Sequence, residues 1–358
     1  MARKSVLEVD AAALRRIADG GAVLGSGGGG NPYIGRLMAQ QALGQGKTVS
    51  VVPLSEFADD ELILPIAMMG APSVMQEKFP SGKEIPSLVA MMEQLLGRKV
   101  AAILCIEAGG LNSTIPFAAA AYMDLPIVDG DGMGRAFPEL QMVTHTLGGI
   151  KATPMAMFDD KGNGATFDTI SNKWTERLAR ALTIEMGGSA MVGLYAATAG
   201  QLRNCLIHGS MSMIYRIGQL MEEHGAGAAK VLAETYGGAV LFQGRVRDVA
   251  RRNEGGFTRG TVNIEGGGDF RRREVKLSFQ NEFLAAEEEG RLLATTPDLI
   301  TLLDSNTGEP VTAEMVKYGL AVNVLGLPCA PIWRTPAALE LVGPRYFGLD
   351  IDYRPLAP

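Results

Sequence analysis

The hydrophobic pattern changes period partway along the chain, and that change limits the architectures open to it. Before about residue 165, short apolar runs alternate with helical segments. Strands are expected over residues 48–53, 62–68, 100–106 and 126–128, the last ending at Asp129. Helices are expected over 10–19, 33–43, 85–96 and 113–122. Asp10 caps the first, which Gly20 and Gly21 close before a brief strand of Ala22, Val23 and Leu24. Asn31 caps the second, with Pro32 in its first turn. Such alternation predicts an α/β domain with a parallel or mixed sheet and flanking helices. Residues 174–186 and 208–223 then carry helical periodicity, with Leu178, Leu182, Met186 and Met213, Ile217, Leu220 recurring every three or four positions. Beyond Gly237 the texture is β: 239–242, 261–264, 274–279, 311 and 320–325. The expectation is an α/β N-terminal domain, 1–165, and a helical-then-β-rich C-terminal domain, 166–358, divided at the turn-rich stretch 159–164.

A chain of 358 residues is long enough for two such cores. Its 47% apolar and 20% charged residues exclude disorder. A formal charge of −6 argues against a polyanion binder. The tract holding Arg245, Arg247, Arg251, Arg252, Arg259, Arg271, Arg272 and Arg273 reads as a solvated face or subunit contact, so no nucleic-acid partner is expected. Cys105, Cys205 and Cys329 are too few for a disulfide framework or a four-thiolate zinc site, which fits a reducing cytoplasm. The N-terminal segment is too charged for a signal peptide, and no apolar run reaches a membrane span. His145, His208 and His224 lie far apart, and no G-x-S-x-G anchors a Ser-His-Asp triad. A homo-oligomer is the expected assembly.

Four segments could carry chemistry. Residues 25–32 place Gly27, Gly28, Gly29, Gly30 and Asn31 at a helix N-terminus, where backbone N–H groups can cradle an oxyanion or a polarised carbonyl. The Lys-Ser/Thr pair of a nucleotide loop is missing. Residues 128–139 send Asp129 and Asp131 off the end of an apolar strand, with Arg135 and Glu139 following. Ligands bind outside the carboxyl ends of such strands, and crowded carboxylates can divide acid and base roles or hold a divalent metal ion. Glu107, at another strand end, suits a general base, with Asn112 as an oxyanion donor. Cys105 before it reads as structural. Finally, Gln280, Asn281 and Glu282 lie on an expected strand, Gln280 and Glu282 on one face and Asn281 on the other, where a buried polar pair could read a ring amide of the substrate.

Five segments together carry a family resemblance: LGSGGGGNPYIGRLMA, VDGDGMGRAFPELQM, FQNEFLAA, TPDLITLLD and GPRYFGLDIDYRP. They run in order over essentially the whole chain, which resembles the S-methyl thiohydantoin desulfurase family, associated with hydantoinases and oxoprolinases. The resemblance implies an N-terminal α/β domain, a β-rich C-terminal domain, and a small cyclic amide or thio-imidate substrate. It also implies that water replaces the methylthio group of a five-membered thio-imidate, giving a hydantoin and methanethiol. On the residues, Asp129 or Asp131 would activate the water and the other would hold the ring nitrogen. Gly27 to Gly30 would hold the ring carbonyl, and Arg135 the ring's polar edge. No cofactor is certain, and a divalent metal held by the carboxylates is the alternative source of activated water. An amidohydrolase or isomerase of hydantoin or lactam rings, and an accessory subunit of a hydantoinase-type partner, are the competing readings. Met211, Met213 and Met221 would serve such a partner if exposed.

Overall fold

The computed structural model describes residues 3–44, 46–70, 82–254 and 257–356. Among them, the first sheet is built from β1 (Leu7–Val9), β2 (Val49–Val52), β3 (Leu62–Gly70), β4 (Val100–Cys105), β5 (Ile127–Asp131), β6 (Met155–Phe158), β7 (Gly164–Phe167) and β8 (Ser189–Gly193). Their order is β1-β2-β5-β4-β3-β8-β6-β7, and two-residue strands at Ala197–Thr198 and Ile207–His208 pair β3 and β5. The centre, β2-β5-β4-β3, is parallel, and both flanks are antiparallel. β8 enters beside β3, so chain beyond residue 165 contributes to this sheet.

The second sheet takes β11 (Ala239–Glu254), β12 (Phe257–Gly266), β13 (Glu274–Gln280), β14 (Glu282–Glu288), β15 (Arg291–Thr295), β16 (Leu299–Asp304), β17 (Pro310–Val311) and β18 (Ala321–Leu327), the two short strands above counting as β9 and β10. It is antiparallel throughout, in the order β15-β14-β13-β12-β11-β18-β16-β17. The protein is thus a mixed α/β domain followed by helices and a large antiparallel sheet; one apolar core continues onto Leu299, Leu303, Leu325 and Leu327 of that sheet, and a second lies within it.

The structure corrects four local readings. Helix α1 runs over Ala11–Leu24, through Gly20 and Gly21, so no strand forms at Ala22 to Leu24. The glycines serve packing: a Cβ on Gly20 would overlap the Ile214 carbonyl, and one on Gly218 the Arg16 carbonyl. Two helices, Ala11–Leu24 and Ser210–His224, cross backbone to backbone at these paired glycines. Strand β5 continues past Asp129 to Asp131. Residues 279–283 reverse at Asn281, whose φ of +57° suits a tight turn, so Gln280 and Glu282 face each other across adjacent strands. On the helix Asn172–Glu185, Trp174 and Leu178 face solvent, while Thr175, Glu176, Ala179 and Thr183 are buried. Met211 and Met221 are core residues and Met213 is half-buried against them. All three cysteines are free and buried, and among the described residues no helix is long and apolar enough to cross a membrane.

Gly20→Ala should force these helices apart and cost about 1–3 kcal/mol by overpacking. Gly227→Ala, where a Cβ meets open space, should be near neutral. Urea unfolding midpoints check this; equal midpoints for both variants would contradict the packing role.

Candidate functional site

The carboxyl ends of β3, β4 and β5 open onto a cavity of about 120 Å³. Ala67 to Gly70 line it from β3, Ile106 and Glu107 from the end of β4, and Met133 from beyond β5. The second domain closes it with Asn281 and Glu282, and the glycine loop contributes Gly29 and Gly30. Apolar walls come from Leu111, Phe137, Leu140, Met155, Val192 and Leu194.

Two carboxyls from opposite domains dominate its chemistry. Glu107 is buried, and its Oε1 accepts from Asn112 Nδ2 at 2.7 Å. The same amide is bound to strand β3, donating to Met68 O at 3.1 Å and accepting from Met68 N at 2.7 Å. Asn112 therefore locks Glu107 to the cavity wall. Burial pushes the Glu107 carboxyl well above the usual range; the Asn112 bond opposes this, and the charges of Glu282 and Asp131 add to it. Glu282 begins β14, and its Oε1 accepts from Gly29 N at 3.2 Å. Burial raises it to about 8 against the pull of Arg135. Glu107 Oε2 and Glu282 Oε2 are both buried without a hydrogen-bond partner. Buried polar atoms are seldom left so, and a ligand in the cavity could satisfy both acceptors.

The glycine run is what lets Glu282 sit there. A Cβ on Gly28 would overlap the Glu282 carboxylate, and one on Gly27 the Phe283 ring. Asn31 is occupied in capping, its side chain accepting from Tyr33 N at 2.9 Å. At the turn, Asn281 Oδ1 accepts from Thr258 N at 2.9 Å. Glu139 lines the cavity and accepts from Gln141 Nε2 and Tyr346 OH.

Asp129, Asp131 and Arg135 do not line the cavity. Asp129 binds the start of the helix Ser210–His224, accepting from Ser212 N at 3.0 Å and Ser212 Oγ at 2.6 Å. Asp131 Oδ2 gathers Ala108, Met133 and Gly134 N–H at 2.7, 3.0 and 2.7 Å. Burial lifts it to about 6 against those three bonds. Arg135 is fully buried, donating to Ala136 O, Pro297 O and Asp298 O and stacking on Phe137. Glu176 and Arg180 also line the cavity, paired to each other, and the sequence reading misses them. Their i,i+4 spacing is the signal that marks the pair, while the apolar stripe of Leu178, Leu182 and Met186 points to the opposite face of the helix. Among the described residues, no group of three or more His, Cys, Asp or Glu is arranged to hold a metal ion.

Family models described as S-Me-THD-like, N-terminal domain, and S-Me-THD-like, C-terminal domain, match residues 12–169 and 170–356. A crystal structure of a protein from Chromobacterium violaceum superposes with a TM-score of 0.81 at 23% identity, covering 98% of this chain and 100% of that one, and so shares the fold. Comparison with curated proteins finds no match.

The raised carboxyls make stability pH-dependent. A carboxyl that binds its proton more tightly folded than unfolded stabilises the fold below its ordinary value and loses that contribution as pH rises through the folded value. For Glu282 the loss falls between about 4.5 and about 8. Glu282→Gln should therefore melt near the parent temperature at pH 5 and above it at pH 9. A melting difference that does not grow with pH would contradict the burial.

Proposed function

The chain belongs to the S-methyl thiohydantoin desulfurase-like (S-Me-THD-like) family through both of its domains, and on that premise we propose that it is a hydrolase of a five-membered hydantoin-like ring. Water replaces the methylthio group of an S-methyl thiohydantoin, giving a hydantoin and methanethiol. The observation that carries this reading is the pair of buried carboxyls, Glu107 and Glu282, each with one unpartnered oxygen beside the same cavity.

The reaction needs two proton transfers at one carbon. The sp² carbon between the ring nitrogens carries the methylthio group. As water adds, a carboxylate accepts one of its protons, and the other carboxyl gives a proton to the imidate nitrogen. The tetrahedral carbon then collapses: its hydroxyl oxygen becomes the carbonyl, the C–S bond breaks, and the thiolate leaves as methanethiol with the remaining proton. Of water's two hydrogens, one ends on the ring nitrogen and one on sulfur. Two carboxyls of unequal proton affinity suit this exchange, because one can be ionised while the other holds its proton. Gly29 and Gly30 flank the position a ring carbonyl would take, and the apolar wall of Met68, Met155, Val192 and Leu194 accommodates the methylthio group. Asn112 keeps Glu107 aimed, and Glu139 and Asn281 border the ring's substituent. Asp129, Asp131 and Arg135 act from outside the cavity. A homo-oligomer and a cytoplasmic setting remain part of the proposal, as does ring-opening of the product by a hydantoinase-type partner.

Purified protein should release free thiol from S-methyl thiohydantoins. Glu107→Gln and Glu282→Gln should each lower kcat by roughly 10²–10⁴. Release should survive chelation; its loss would move water activation to a metal ion. No thiol from any ring substituent, or undiminished rates in both variants, would overturn the reading in favour of ring amide chemistry or an accessory role.

A further inference from the structure

The arginine tract of the second sheet divides in two in the structure. Arg245 donates to Gly319 O at 2.6 Å, Arg247 pairs with Glu265 at 3.1 Å, and Arg273 pairs with Glu288. Arg251 is likewise occupied, donating to Ala313 O at 2.7 Å. Arg252 and Arg259 instead line a groove of about 370 Å³ that shares no lining residue with the cavity holding Glu107 and Glu282.

Strand register builds that groove. Arg252 of β11 stands directly opposite Arg259 of β12, and Arg259 opposite Gln280 of β13. Two positions along, Ala250, Thr261 and Ser278 form a second row. Cross-strand partners, and residues two apart on a strand, share one face of a sheet. Two guanidinium groups, two hydroxyls and an amide therefore project to the same side. Like charges placed directly opposite each other destabilise a sheet. Arg259 Nε is buried with no hydrogen-bond partner, and Gln280 is only 4% exposed. Among the described residues, the lining holds no Asp or Glu, although the chain has 39 acidic residues against 33 basic ones. Leu284, Phe347 and Leu349 supply apolar walls. The groove is thus cationic and rich in donors, with an apolar side.

We propose that this groove binds a small phosphate monoester, its phosphate between Arg252 and Arg259 and its organic part against Phe347 and Leu284. Two guanidinium groups match the charge of about −1.5 to −2 that a phosphate monoester carries near pH 7, whereas a carboxylate brings one. Three terminal oxygens also leave acceptors for Thr261, Ser278 and Gln280 once the arginines are served. An anion between the arginines turns their mutual repulsion into shared attraction. A nucleic-acid strand fits less well, since the net charge of −6 repels a polyanion. The proposal does not depend on the hydrolytic reading.

Calorimetric titration of the intact protein with phenyl phosphate at low ionic strength tests this. One site per chain is expected, with inorganic phosphate and benzoate each weaker by about tenfold or more, the first for want of an apolar body and the second for want of charge. Arg252→Gln and Arg259→Gln should each weaken phenyl phosphate by about tenfold or more. Arg247→Gln, which removes an arginine of the same sheet already paired with Glu265, should leave binding unchanged. Should Arg259→Gln not fold, Arg252→Gln and Thr261→Val decide, the latter with a loss of several-fold. Absence of saturable binding, or an equal loss in all three arginine variants, would overturn the site. Benzoate binding as tightly as phenyl phosphate would overturn the phosphate assignment. A single-stranded oligonucleotide that displaces phenyl phosphate at lower concentration than inorganic phosphate does would overturn the small ligand in favour of nucleic acid.

Discussion

Phe283 N–H donates to Ser26 O at 2.7 Å across the seam between the two domains, and the site depends on that contact being made. Ser26 is buried with a left-handed φ of +51°, a conformation L-residues adopt only when their surroundings impose it. Its hydroxyl donates to Ile300 O at 2.8 Å and accepts from Ile300 N at 3.2 Å, and Ala313 N donates to Gly27 O at 2.8 Å. The glycine loop is thus stitched to two strands of the second sheet and to the turn after β17. Because Gly27 and Gly28 lack Cβ atoms, Phe283 and Glu282 can approach its backbone closely. The loop is a mounting for the second domain's carboxylate as much as a cradle for a ligand.

That mounting carries an electrostatic cost. Moving a carboxylate from water into a buried site disfavours its charged form, and only hydrogen bonds or opposite charge offset this. Glu107 has one strong side-chain donor, Asn112, with a weaker contribution from the Phe137 backbone, and Glu282 has the Gly29 N–H. Asp131, by contrast, takes three backbone donors on a single oxygen and is raised less, to about 6. The comparison separates two uses of the same side chain. All three carboxyls keep one buried oxygen without a partner; what separates them is that Glu107 and Glu282 line the cavity, while Asp131 stands outside it and organises a loop. Cavity-lining carboxyls of this kind reduce stability, and they persist where activity requires them.

Much of this was legible in the residues, and the failures have physical causes. Periodicity located most of the helices and strands because each buries one face, a property local to the element. Gly20 and Gly21 read as a helix stop because a glycine pair usually ends a helix. What made Gly20 interior was the helix at residues 210–224, nearly 200 positions away in the chain, whose own Gly218 meets Arg16 in return, while Gly21 packs on Ser113. Asn281 read as a strand residue for the same reason: the turn is decided by the pairing of Phe279 with Phe283, and by Thr258 on a third strand. Glu107, Asn112, Glu282 and the glycines were all nameable from sequence as polar or permissive residues at element ends. That they share one cavity was not.

The rule that ligands gather at the carboxyl ends of parallel strands found the right edge of the sheet and left open which carboxylate faces the cavity. β4 ends at Cys105, so Glu107 lies two residues beyond the ladder, where the chain is free to turn its side chain into the opening. β5 runs on through Asp131, paired with Ile207, and the ladder holds Asp129 and Asp131 where neighbouring N–H groups claim them. A difference of two residues in where a strand stops thus decides whether a carboxyl faces the cavity or stands behind it. Asp131 is paired on both sides, with Cys105 of β4 and with Ile207, so the ladder that withdraws it from the cavity draws on the parallel core and on a strand some distance along the chain.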